Sequence, residues 1–143
     1  MSRSIELLKQ RYLKAIKENP KLYIGIELEF PIVNLSGNAT DTQVTKNLMV
    51  FLKECLDLEV EKRDQDGLPI QLVEPLSQDR ILFEVSYTTL EFAFGKAERI
   101  QDVEERFTGY LTVIQQKLQE SNHAIIGCGI HPEWQQNENL PVA

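Results

Sequence analysis

The stretch Tyr23-Ile24-Gly25-Ile26-Glu27-Leu28-Glu29-Phe30-Pro31 decides how the chain is read. Ile24, Ile26, Leu28 and Phe30 alternate with Gly25, Glu27 and Glu29, which is the period of a β-strand with one apolar face. Glu27 and Glu29 therefore project from the same, opposite face, and Gly25 beside them leaves space. Two neighbouring carboxylates repel unless solvent or a cation offsets their charge. Taken alone, the stretch reads as a solvated sheet face or as half of a site for a hard, oxygen-seeking cation such as magnesium.

Working outward, the opening strand spans residues 22–33. Before it, Ile5, Leu8, Tyr12 and Ile16 share a helical face, and Asn19-Pro20 stops the helix because the residue before proline avoids helical angles. After it, Asn34 to Asn38 has loop chemistry. A second helix is capped by Thr40 or Asp41, with Val44, Leu48, Phe51, Leu52 and Cys55 as its apolar stripe. Two alternating runs, 58–64 and 68–74, flank Gln65-Asp66-Gly67 and predict a hairpin. A further strand runs from Ile81 to about Phe94, with room for a break.

The longest helix is predicted over 98–121, with Ile100, Val103, Phe107, Leu111, Ile114 and Leu118 facing the core. Gly109 weakens it slightly, and Ser121-Asn122 ends it. Residues 123–129 then read as a short buried strand leading to Ile130-His131-Pro132. This order of elements predicts an α+β domain, a largely antiparallel sheet with helices packed on one face and acids on the other.

The chain has 143 residues, 42% hydrophobic and 26% charged, enough for one domain with a core. Its net charge of −7 supplies no basic surplus for a nucleic-acid backbone. The N-terminal segment is charged throughout and no apolar run is long enough to span a membrane, so a cytoplasmic protein with neither nucleic-acid nor membrane partner is expected. Cys55 and Cys128 have no metal-ligand spacing and sit in apolar contexts, which reads as two buried thiols.

The second acidic segment is FEVSYTTLEF, residues 83–92. Glu84 and Glu91 are seven positions apart, so in one regular strand they would face opposite ways. For both to serve one site the chain must bend or bulge, and Ser86-Tyr87-Thr88-Thr89 is where the break belongs. The plain alternative puts Glu84 in solvent and Glu91 idle before the helix. His131 follows an apolar strand, and Pro132 fixes an extended chain beside it; a lone histidine of this kind is equally read as structural or exposed. It has no partner spacing for zinc. His123 receives no role. No glycine-rich phosphate loop and no Gly-x-Ser-x-Gly elbow occur.

Taken in order, these features resemble the glutamate–cysteine ligase family, carboxylate–amine ligases related to glutamine synthetase. GIELEF (25–30) is similar to the family's opening strand, FEVSYTTLEF to its second acidic segment, and AIIGCGIHP (124–132) to its strand with a Gly-x-His-Pro end. The resemblance implies part of a half-barrel sheet. It also implies that residues 1–143 form a single domain, the N-terminal part of a longer ligase, with the polar tail EWQQNENLPVA an interrupted loop. By the same resemblance Glu27, Glu29, Glu91 and Glu84 would ligate magnesium, while Glu84, Ser86 and His131 would line the substrate site. No protein nucleophile is implied.

The implied reaction is ATP-dependent activation of the glutamate γ-carboxylate as an acyl phosphate. Amide formation with cysteine follows, the entry to glutathione, and the short chain is expected to be inactive by itself. Tyr87, Thr88 and Thr89 stand where many relatives carry small residues or proline, and Ile130 where threonine is frequent, which leaves the amine acceptor open. The alternatives are a ligase of different amine specificity and a non-catalytic interaction domain of the same fold, self-associating through an unfinished sheet edge.

Overall fold

The computed structural model of the chain describes residues 3–132. Its elements are α1 (Arg3–Ala15), β1 (Glu27–Asn34), α2 (Thr42–Cys55), β2 (Glu59–Arg63), β3 (Pro69–Val73), β4 (Arg80–Phe83), β5 (Thr89–Ala93), α3 (Ile100–Gln119) and β6 (His123–Ile125). The strands form one sheet in the order β2-β3-β4-β5-β1-β6, and every neighbouring pair is antiparallel. This is an α+β fold. The first strand in sequence lies between the last two in sequence, so β1 is paired on both sides.

The core lies where period-2 strand faces meet period-3.6 helix stripes. Ile32, Leu72, Ile81, Leu90 and Phe92 are almost completely buried, as are Leu48, Met49 and Leu52 of α2 and Ile114 and Leu118 of α3. α2 packs over β3 and α3 over β6. Phe107 of α3 stacks on Phe30 at 5.6 Å between centroids and meets Phe92 edge-on at 5.3 Å, so an aromatic cluster fastens α3 to β1 and β5. Both helices thus occupy one face, and Glu27, Glu29 and Glu91 emerge on the other.

The caps follow the local chemistry. Asp41 caps α2 by accepting from the Gln43 amide at 2.8 Å. Asn122, in the left-handed region at φ 57°, ends α3. In the β2–β3 hairpin the working residue is Asp64 as much as the Asp66-Gly67 pair. Its carboxylate accepts from the amides of Asp66 and Leu68, both at 2.9 Å, while Gly67 takes φ 82°.

Several expectations are corrected. β1 begins at Glu27 and not at residue 22, although pairing continues through Ile26 and an Ile24–Ala97 bridge. The one-residue change of register there is a bulge at Gly95-Lys96. Ile81 to Phe94 is two strands, because the chain turns back at residues 84–88. β6 has three residues, and Gly127 to Ile130 are exposed. α1 forms, but none of its side chains is buried. Ile100 is 56% exposed, at the first turn of α3. Both cysteines are exposed and free: Cys55 is the last residue of α2, and Cys128 lies past the end of β6. The tail from residue 133 onward lies outside the described residues.

Gly95 is held by proximity. A Cβ at this position would stand 1.8 Å from the Ser77 carbonyl oxygen. The loop approaching it is knotted around buried Asp79, whose carboxylate accepts from the Gly95 amide at 2.8 Å and the Tyr110 hydroxyl at 3.2 Å and faces Arg106 at 3.4 Å. At Gly25, by contrast, an added Cβ would meet nothing, so that glycine leaves space without being required by a close approach.

Candidate metal and substrate site

The open face of β1 and β5 brings the two acidic segments together. Glu29 stands directly opposite Glu91, and Glu27 opposite Ala93. Glu91 in turn faces Leu82 of β4. Glu84 follows β4, and its amide donates to the Thr89 carbonyl at 3.1 Å, which sets it across from Thr89. Leu82, Glu84, Thr89 and Glu91 therefore share one face. The odd separation of Glu84 and Glu91 is resolved by the reversal between them, at the segment where a break was expected.

That reversal is strained. Val85 adopts φ 63°, a region that β-branched residues avoid. The Ser86 amide donates to the Glu84 carbonyl at 2.6 Å and the Thr89 amide to the Ser86 carbonyl at 3.3 Å. The Ser86 hydroxyl is buried and engaged with the Thr88 hydroxyl at 2.9 Å. Ser86 is thus part of the turn's internal bonding and does not line the cavity described next. Tyr87 also turns inward: its hydroxyl donates to Asp64 at 2.7 Å and its ring packs edge-on against Phe83. It is not part of a wall around the acids.

A cavity of about 220 Å³ opens beside these strands, lined by Glu29, Glu84 and His131 together with Pro31, Thr89 and Cys128. Three of the residues singled out from sequence meet there. His131 is anchored through Nε2, which donates to the Ile32 carbonyl at 2.8 Å and lies 3.2 Å from the Thr40 hydroxyl. Thr40 donates to the same carbonyl at 2.6 Å, which ties the Gly-x-His-Pro segment to the middle of the sheet. Thr89 and Pro31 were legible as site residues only by counting two places from Glu91 and Glu29. Cys128 carries no signal apart from its nearness to His131 in the chain.

His123 is one of the few buried polar residues. Its Nδ1 donates to the Ser121 carbonyl at 2.7 Å, and its Nε2 accepts from the Asp41 amide at 3.2 Å. The ring clasps the start of α2 to β6, a structural task at the rear of the site.

The electrostatics tie all four carboxylates together. The Glu91 carboxyl is pushed up to about 7, first by burial, then by a hydrogen bond shared with Glu84, then by the charges of Glu84, Glu27 and Glu29. Near neutral pH the Glu91 carboxyl thus keeps its proton for part of the time. Such a cluster gains from a divalent cation, and its donors are the hard oxygens that magnesium takes. The donor chemistry and the shared face fit that ion. The side chains as they stand are spread apart: among the described residues no three His, Cys, Asp or Glu side chains are gathered to hold a metal. Gathering them requires rotamer changes at exposed Glu27 and Glu29, which strand neighbours at Cβ separations of about 5 Å permit.

No protein-family model matches the chain, and no curated protein matches it. The functional reading therefore rests on these residues.

Proposed function

We propose that this domain supplies the metal-binding carboxylates of an ATP- and magnesium-dependent carboxylate–amine ligase of the glutamate–cysteine ligase type. The observation that carries the reading is the convergence of Glu27, Glu29, Glu84 and Glu91 on one open sheet face, beside a cavity shared by Glu29, Glu84 and His131. In this reading Glu27, Glu29 and Glu91 hold magnesium, and Glu84 divides its oxygens between the ion and the substrate ammonium group. When bound, magnesium neutralises phosphate oxygens and orients them for transfer.

The protein's own part is positional. The β1–β5 ladder fixes the spacing of the acids. The Thr40–Ile32–His131 bonds hold the cavity's far wall. The glutamate γ-carboxylate and the cysteine amine are the expected reactants. Among the described residues no lysine or arginine lines the cavity, so the negative charge of ATP would have to be met by ions and by groups beyond this set. The 143-residue chain is accordingly expected to bind the cation and to show little or no turnover by itself.

The test is a titration with Mn²⁺ followed by electron paramagnetic resonance, alongside a coupled assay of ADP release with glutamate, cysteine and magnesium. Saturable Mn²⁺ binding that is lost in Glu29→Gln and Glu91→Gln supports the proposal. Absence of divalent-ion binding at millimolar concentration, or binding indifferent to both substitutions, overturns it.

A further inference from the structure

The chain-wide charge of −7 conceals a division. Residues 3–17 carry Arg3, Lys9, Arg11, Lys14 and Lys17 against Glu6, a net +4, so the rest of the chain carries −11. The basic part is α1 and its first following residues. α1 is also the helix with no buried side chain, whereas α2 and α3 each bury a stripe. Ile5, Leu8, Tyr12 and Leu13 are 51%, 56%, 74% and 61% exposed.

These residues are not scattered around the helix. At about 100° per residue, Ile5, Leu8 and Tyr12 fall within about 60° of one another, with Leu13 about 80° beyond Ile5. Arg3, Arg11 and Lys14 lie on the opposite side. Lys9 falls within the stripe, between Ile5 and Leu13, where a long stem can lie along apolar surface and keep its charge in water. Leu7 alone departs from the stripe.

We infer that α1 is an interfacial helix that takes an anionic lipid surface. It would lie in the headgroup plane with Ile5, Leu8, Tyr12 and Leu13 at the acyl boundary and its basic side towards the phosphates. Thirteen residues span about 20 Å, too short to cross a bilayer. The expectation of no membrane partner rested on the charged N-terminal segment and on the lack of a spanning run, and neither excludes a helix lying flat.

A second copy of the chain is the weaker occupant. Pairing two α1 stripes sets one helix of net charge +3 against another. The acidic body would attract α1, but apart from Leu22, Tyr23 and Ile24, where the tether joins the sheet, its exposed large apolar residues, such as Leu35, Val50, Leu76 and Ile100, come singly from separate segments. An anionic bilayer supplies apolar interior and negative charge together.

The acidic body need not oppose this. α1 is joined to the sheet through residues 16–23, first fixed by the Ile24–Ala97 bridge. Eight extended residues reach about 26 Å, well beyond a Debye length of about 8 Å at physiological salt. The Lys21–Glu98 ion pair across this tether is exposed on both sides and too weak to hold it down.

The experiment is co-sedimentation of the full chain with neutral phosphatidylcholine vesicles and with vesicles containing phosphatidylserine, at low and high salt. Binding is expected only to the anionic vesicles. Each basic residue near such a surface contributes about fivefold, so Lys9→Gln with Lys14→Gln should weaken binding about 25-fold, and high salt should do likewise. Leu8→Glu with Tyr12→Glu should abolish binding while leaving the urea midpoint unchanged. The inference is overturned by no binding, by equal binding to neutral vesicles, or by binding indifferent to these substitutions. A fall in the urea midpoint of the Leu8/Tyr12 variant, or a solution dimer that this variant dissolves, would likewise overturn it by giving the stripe a protein partner.

Discussion

Glu29 and Glu91 are direct partners across the β1–β5 ladder, two carboxylates on the open face of a sheet whose other face is the aromatic core. This pairing, with Glu84 on the same face, makes the stability of the domain pH-dependent. The Glu91 carboxyl titrates at about 7 when folded against an ordinary 4.5. A raised pKa means that the folded state holds the proton more tightly, so the stabilisation is complete below about 4.5 and is lost as pH rises through about 7. Allowing for partial solvent screening, its size is about 1–3 kcal/mol. Urea midpoints should fall between about pH 5 and 8, and Glu91→Gln should flatten that part of the profile. Glu61, Asp64 and Glu74 are shifted downwards by their hydrogen bonds and act with the opposite sign, at lower pH.

The Val85 backbone offers a stabilising change. Its left-handed φ of 63° costs about 1–2 kcal/mol for a branched L-residue, and asparagine tolerates that region. Val85→Asn should raise stability by about 1 kcal/mol in urea denaturation. Since Val85 also borders the cavity, the same variant should alter Mn²⁺ affinity if the strain helps to place Glu84.

Gly95 should not accept even a methyl group. An added Cβ 1.8 Å from the Ser77 carbonyl oxygen meets backbone, which cannot rotate away. Gly95→Ala should destabilise by about 3 kcal/mol, read as a lower midpoint with an unchanged denaturant slope. Gly25→Ala, in open space, serves as the neutral control.

Asp79 should be among the most sensitive polar positions. It is 2% exposed, and it accepts from the Gly95 amide and the Tyr110 hydroxyl and faces the charge of Arg106. The Nε and Nη2 atoms of Arg106 are buried beside it without hydrogen bonds. Asp79→Ala would leave that guanidinium without its counter-charge and should cost about 3–5 kcal/mol. The paired change Asp79→Asn with Arg106→Met should recover part of the loss, as a double-mutant cycle in thermal or urea melts will report.

How far the site could be read beforehand varies by residue. Glu27 and Glu29 were fixed to one face by alternation within a single strand, which needs no tertiary information. Glu84 and Glu91 were not, because their odd separation has two readings until the turn at 84–88 is known. Ser86 and Tyr87, attractive on paper, are absorbed by the turn itself and by the hairpin carboxylate of Asp64. His123, given no task, proves to be a buried clasp, since nothing local announces that the Asp41 amide will arrive from 82 residues away.

The same division holds for the whole molecule. Local periodicity and turn chemistry determined the element types, the α2 cap region, the β2–β3 hairpin, the core stripes of α2 and α3 and the class of fold, because each depends on neighbours within a few residues. The strand order, with β1 between β5 and β6, the facing of Glu29 and Glu91, the burial of Asp79 and the exposure of α1 were decided by tertiary structure. Those depend on which surfaces find partners across long separations. An apolar stripe shows that a helix has a face to cover, and only the assembled fold shows whether the domain covers it.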